Sequence, residues 1–205
     1  MIRPLLRLVA VAGCALALSG CITLLPKTAP AQLYRFGAGP TAPPPTAAPA
    51  QSAVAVYRTN GGFQSEAADD RILTVAGGRA AYIAASRWVA PAEVLFNQAM
   101  LQAFDASPVR LLTRGQAGKF SYALRVDVRN FEARYDSGHD APPLVVVRLH
   151  AALTKVDQTS VGEREFEARV PAADNRVGAI VAAYNQAVAD VIGKLVAWTE
   201  ASVTA

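Results

Sequence analysis

The sequence predicts an α+β domain: an antiparallel or mixed β-sheet packed by two main α-helices and preceded by a disordered, proline-rich tether. Three observations predict it. Apolar residues alternate at period two in several runs between Arg71 and Val170. Two other stretches, Pro91 to Phe104 and Val177 to Trp198, carry apolar residues at helical spacing. Residues 22–51 hold Pro26, Pro30, Pro40, Pro43, Pro44, Pro45 and Pro49 among Ala, Thr and Gly, without the periodicity of a core.

The folded domain is expected over residues 52–205. Val54-Ala55-Val56-Tyr57 reads as a short strand and Arg71 to Val75 as the next. Gly77-Gly78 is a hairpin turn signal, and Arg79 to Ala85 returns as the partner strand. Pro91 opens a helix at its first turn, with Glu93 placed to favour the N-terminus. Phe96, Ala99, Met100, Ala103 and Phe104 share one face, and Ser107-Pro108 ends the helix. Tyr122, Leu124, Val126 and Val128 alternate with Arg125, Asp127 and Arg129, a strand with one wet face. After Asn130 the apolar parity moves to Phe131, Ala133 and Tyr135, which predicts a β-bulge there. Asp136 to Pro143 is a loop, Leu144 to Val156 a central strand, and Glu163 to Val170 its antiparallel partner across a turn. Asp174 is the expected N-cap of the last helix, and Gly193 within it is read as a close helix–sheet contact.

The first 20 residues read as a lipoprotein signal peptide. Arg3 and Arg7 form a positive n-region, and Leu8 to Leu18 an apolar h-region too short to span a bilayer. Leu18-Ser19-Gly20-Cys21 resembles a lipobox, with Leu18, Ser19 and Gly20 as the peptidase recognition residues and Cys21 as the lipid attachment point. The bland alternatives are a plain secretory signal containing a cysteine, or a buried N-terminal helix. Ile22, in place of Asp, favours the outer membrane, with the domain lipid-anchored on its periplasmic face. Residues 21–51 then form the lipidated Cys and tether. At ~3.1 Å per residue, about thirty residues reach roughly 90 Å when extended. Within the tether, Leu33-Tyr34-Arg35-Phe36 is an apolar island: a first strand, a docking segment, or an accident of a linker.

Composition excludes several classes. Of 205 residues, the net charge of +4 loses two with Arg3 and Arg7, and the remainder is too weak to argue for nucleic acid. Cys14 leaves with the signal peptide and Cys21 is consumed by its thioether, so the mature domain keeps no thiol for a disulfide, metal or nucleophile. No later stretch reads as a transmembrane helix, and no catalytic, phosphate-binding or metal motif is present. His139 beside Asp136 and Asp140 could bind a metal or act as an acid–base group in a periplasmic hydrolase, although a solvated turn is the plainer reading. His150 reads as a surface or edge residue. Tyr82, Trp88, Phe96 and Phe104 flank the first helix and read as core packing, or else as a surface for a partner or acyl chain.

The lipobox and proline-rich tether, then the strand–turn–strand from Arg71-Ile72-Leu73 to Tyr82, with Arg87-Trp88 and Pro91 opening a helix, resemble the ABC-type transport auxiliary lipoproteins, the PqiC-like group. The alternating strand from Tyr122 and the amphipathic terminal helix also fit, so the resemblance covers essentially the mature domain. Ala84, Ala85 and Val89 depart from the family's more aromatic, acidic or amide-rich neighbourhood, which bears on partner specificity. The resemblance implies a non-enzymatic outer-membrane, periplasm-facing component that docks or receives the periplasmic part of a system that also contains an ABC ATPase, a permease and a mammalian-cell-entry (MCE) domain protein. Such systems move phospholipids or other hydrophobic molecules across the periplasm. It further implies Tyr82, Trp88 and Pro91 as partner or lipid contacts, a homo-oligomer, and no cofactor beyond the covalent diacylglycerol and N-acyl chain on Cys21. The competing reading is an envelope-assembly or cell-wall scaffold without a transport role.

Overall fold

The structure is a computed structural model and describes residues 30–37 and 54–204. In chain order its elements are β1 (Gln32–Tyr34), β2 (Val54–Arg58), β3 (Arg71–Ala76), β4 (Arg79–Trp88), α1 (Ala92–Asp105), β5 (Val109–Leu112), β6 (Tyr122–Arg134), β7 (Leu144–Lys155), β8 (Ser160–Pro171) and α2 (Val177–Thr204). A 3-10 turn occupies Ser65–Ala67. The strands form one mixed sheet with helices packed on it, the α+β class expected from the alternation of periods.

β6 organises the sheet. One edge pairs antiparallel with β7 from Tyr122↔Lys155 to Arg134↔Leu144, and β7 pairs in turn with β8. The other edge is shared by two segments running parallel to it. β2 lies beside Tyr122, Ala123 and Leu124, and β3 beside Ala133 and Arg134. Between them Phe63 bridges Val128, and the Val128 N–H donates to the Gly62 carbonyl at 2.8 Å. The chain hugs β6 so closely here that a Cβ on Gly61 would stand 1.8 Å from the Val126 carbonyl oxygen. β5 extends the sheet beyond β2, while β4 and then β1 extend it beyond β3.

The β6–β7 register shifts between Val128 and Asn130, where the parity change predicted a bulge. Its consequence is steric. Without the extra residue, Phe131 would point away from the helices. With it, Phe131 is buried and lies within 5.3 Å of the Phe36, Phe63 and Tyr184 ring centroids. Trp88 closes this cluster, edge-on to Phe36 at 4.9 Å and to Tyr184 at 5.3 Å.

α2 covers β7 and β8. Ile180, Tyr184, Val188, Val191 and Leu195 are all buried at helical spacing. In length and composition α2 would suffice to cross a membrane, but this stripe meets the sheet, as in a core helix. α1 buries Ala92, Leu95, Phe96, Met100 and Phe104. The hairpin turn at Gly77 and Gly78 has φ of 53° and 79°, the left-handed pair that a two-residue turn of this hand requires.

Three expectations change. Pro91 stands one position earlier than expected, as the N-cap, with its carbonyl accepting from Leu95 N–H at 3.1 Å. Asp174 does not cap α2; it pairs with Arg176 at 3.1 Å, and Arg176 supplies the carbonyl that accepts from Ile180 N–H. Gly193 is not a close contact with the sheet: it is exposed, and a Cβ there meets nothing within 4 Å.

The apolar island at Leu33–Phe36 is a strand and a core plug. β1 runs parallel to β4, with Gln32, Leu33 and Tyr34 opposite Ser86, Arg87 and Trp88. Phe36 is 2% exposed. Gly37 donates its N–H to Asn185 of α2 and lies against Ala99 of α1. The compact unit therefore begins at Ala31 rather than at residue 52. Residues 22–29 and 38–51, the remainder of the expected tether, lie outside the described residues, as do residues 52 and 53.

Candidate functional site

Cys21 and the recognition residues Leu18, Ser19 and Gly20 lie outside the described residues. The described residues begin at Pro30, and the first element after it, β1, lies on the edge of the sheet beyond β4.

Tyr82, Trp88 and Pro91 do not form one surface. Trp88 is 2% exposed and is held edge-on by Phe36 and Tyr184. An indole so enclosed is a core residue, and expecting it as a contact gives way to the packing alternative. The β-strand alternation that points Trp88 inward also points Arg87 and Val89 outward. Phe96 and Phe104 are core residues too. Tyr82 is half-buried. Its hydroxyl donates to the Glu66 carbonyl at 3.0 Å, and the Arg71 guanidinium sits 3.7 Å from its ring centroid, a cation–π contact. Pro91 is exposed at the start of α1. That helix has no side-chain cap. Its first N–H groups are satisfied instead from a distance: Ala92 and Glu93 donate to the carbonyls of Asp69 and Ala68.

The two histidines occupy separate settings, one in a loop and one on a strand. His139 sits in the exposed loop with its ring beside Tyr135 at 5.7 Å, and its carbonyl accepts from Asn175 at 2.7 Å. Among the described residues no group of three His, Cys, Asp or Glu side chains is placed to hold a metal. His150 is on the sheet face turned away from the helices, between Asp127 and Glu165 by register, with Nε2 3.3 Å from Glu163. The same face carries Arg148–Glu167 at 2.6 Å and Arg129–Glu165 at 3.2 Å. Cations and anions alternate across it, so it offers no single-sign field to a ligand, and each exposed pair contributes little to stability.

The buried polar groups went unnoticed in the sequence. Tyr184 is enclosed on α2 with its hydroxyl donating to the Leu73 carbonyl at 3.3 Å. Burial, reinforced by the nearby Glu132 carboxylate, pushes this phenol well above its ordinary value. Glu132 is 6% exposed and accepts from Gln64 at 3.1 Å, and Gln64 also accepts from the Phe131 N–H at 2.6 Å. These bonds tie the loop after β2 to β6. They serve packing, since a phenol held protonated and shut from water is no acid–base group at neutral pH.

A family model described as ABC-type transport auxiliary lipoprotein component matches residues 63–196, more than half of the chain. A search of curated proteins found no match. Among solved structures, protein XCC0632 from Xanthomonas campestris, of family-model DUF330, is 23% identical with a TM-score of 0.68, covering 84% of this chain and 97% of its own. A second crystal structure, of an uncharacterized protein, is 11% identical with a TM-score of 0.63, covering 83% of this chain and 99% of that one. Both likenesses show the fold alone. Both solved chains are spanned almost end to end. The family match begins at Phe63, the residue that bridges β6, and ends at Val196 in α2.

Proposed function

This chain belongs to the ABC-type transport auxiliary lipoprotein component family, and from that membership we propose that it is a non-catalytic outer-membrane lipoprotein, acylated at Cys21, that docks the periplasmic part of an ABC transporter. The partners we assign are an MCE-domain protein with its permease and ATPase, and the cargo class is phospholipids or other hydrophobic molecules. The match over residues 63–196 carries the reading. Leu18-Ser19-Gly20-Cys21 supports the anchor, since acylation needs that cysteine at the end of a short apolar segment.

The chain's own residues would then divide the work. Cys21 supplies a thiolate for the thioether, and each acyl CH₂ buried in the bilayer adds about 0.8 kcal/mol, so two or three chains make a durable anchor. The folded unit from Ala31 presents the docking surfaces. Affinity purification of the acylated protein from detergent-solubilised envelopes tests the reading. Recovery of MCE or permease subunits, lost when Cys21→Ser removes the anchor in cells, is the expected result. A preparation that brings down only cell-wall or assembly proteins would overturn it. Native mass spectrometry of the same preparation reads out self-association and bound lipid.

A further inference from the structure

The face of the domain that carries β1 holds an exposed apolar patch at the root of the anchor. We propose that this patch, centred on Leu33 and Val89, rests in the headgroup region of the bilayer that holds the acyl chains. The inference rests on acylation at Cys21 and adds to it a definite membrane-facing surface.

The length of chain before the domain carries the first step. Because the folded unit begins at Ala31, only about ten peptide steps separate it from Cys21, and at ~3.3–3.6 Å each they reach at most about 35 Å. A domain of this size has a radius of gyration near ~16 Å and is on the order of 40 Å across. A path around its surface from β1 to the opposite pole would need roughly 60 Å for that diameter. The anchor therefore cannot bring the far side to the membrane. The side bearing β1 is the one that meets it.

The second step is what that side carries. Leu33 is 65% exposed and Val89 46% exposed, two of the large exposed apolar side chains among the described residues. Leu33 pairs with Arg87 across the β1–β4 ladder, and the Val89 N–H donates to the Tyr34 carbonyl at 2.8 Å. Alternation turns Leu33, Arg87 and Val89 to the face opposite Trp88. Exposed Arg35 follows two residues after Leu33. Arg87 is paired with Asp70 at 2.9 Å, so the cation that borders the patch is Arg35; apolar side chains beside it suit the boundary between acyl chains and anionic headgroups, where a long cationic side chain keeps its charge at the phosphates.

The acylated full-length protein, reconstituted in vesicles of phosphatidylethanolamine and phosphatidylglycerol, provides the test. Once Cys14 is cleaved off and Cys21 acylated, an introduced cysteine is the only thiol. Bimane attached at Val89→Cys is compared with bimane at Val156→Cys, an exposed position beside Ser121 at the opposite end of β6 from β3. Lipids carrying a nitroxide near the headgroup should quench the Val89 label severalfold more than the Val156 label. Adding Leu33→Glu should remove most of that difference without unfolding the domain, because Leu33 is exposed. Equal quenching at the two positions overturns the proposal. So does a blue-shifted Val89 label that lipid nitroxides do not reach, which would mean that protein covers the patch. A diacylglycerol adduct on Cys21 in the mass spectrum separates these outcomes from failure of the anchor itself; its absence overturns the functional reading and this one together.

Discussion

Replacing Phe36 by Ala tests whether the segment before residue 52 belongs to the fold. The ring is 2% exposed, edge-on to Trp88 at 4.9 Å and tilted against Phe131 at 5.1 Å. Truncating a buried Phe costs about 3–5 kcal/mol, of which each aromatic pair supplies about 0.5–1.5. With two such pairs and near-complete burial, the expected loss is about 4 kcal/mol, a large share of the 5–15 kcal/mol typical of a domain. The assay is urea unfolding followed by circular dichroism, on the unacylated Cys21→Ser chain. At a slope near 2 kcal/mol per molar urea, the midpoint should fall by about 2 M. Leu33→Ala, at an exposed position three residues away, should cost less than about 0.5 kcal/mol and serves as the control. A loss below about 1 kcal/mol for Phe36→Ala would refute the reasoning. Residues 31–37 would then lie outside the cooperative unit, the tether would regain its full length, and the argument for a membrane-facing β1 would go with it.

Three further outcomes are expected. Gly193→Ala should stabilise by about 1 kcal/mol, because the position is exposed in a helix interior and a Cβ meets nothing; thermal unfolding should rise by about 2–4 °C. Gly61→Ala should destabilise by about 2–3 kcal/mol or more, since the new Cβ would collide with the Val126 backbone rather than a movable side chain; loss of soluble protein or a lower urea midpoint reads it out. Glu167 has its carboxyl held below the ordinary value of 4.5, first by the hydrogen bond from Arg169 and then by Arg148. Its contribution is thus fully present above the unfolded value and is lost as pH falls through the depressed folded one. Stability of the parent chain should decline below about pH 4.5 more steeply than that of Glu167→Gln, and identical pH profiles would show that the ion pairs contribute nothing.

Period and turn chemistry made most of the sheet legible. The hairpin at Gly77-Gly78, the parity shift at Asn130 and the apolar stripe of α2 each rest on local residues, and each lies where those residues imply. β5 was missed because Val109-Arg110-Leu111-Leu112 is too short to show a period and follows directly on a helix end. The parallel attachment of β2 and β3 to one edge of β6 is a long-range pairing that no local pattern encodes. Capping failed for two different reasons: the α1 donors find carbonyls of Ala68 and Asp69, more than twenty residues back, whereas Asp174 is occupied locally by Arg176, two residues on. Trp88 was ambiguous because burial depends on Phe36, which proline-rich flanks disguised as linker. The charged face of β7 and β8, by contrast, is written in the alternation itself, as Arg148 and His150 against Glu163, Glu165 and Glu167.

An anchored docking domain works only if its orientation at the membrane is restricted. A flexible chain of about thirty residues has a root-mean-square span near 30 Å and imposes almost no orientation. About ten residues span nearer 18 Å on the same scale. Here that shorter chain enters a strand clamped to β4, and Phe36 two residues later is locked between Trp88 and Phe131. Trp88 and Phe131 also touch Tyr184 of α2, and Gly37 lies against Ala99 of α1 and binds Asn185 of α2. The anchor segment is thus packed directly against both helices. A partner that grips α1 or α2 would be held at a near-fixed distance and angle from β1, where the proposed anchor joins, because the contacts between β1 and the helices are close-packed side chains. On the proposed acylation of Cys21, the buried rings of Phe36, Trp88, Phe131 and Tyr184 would therefore convert an anchor into an orientation.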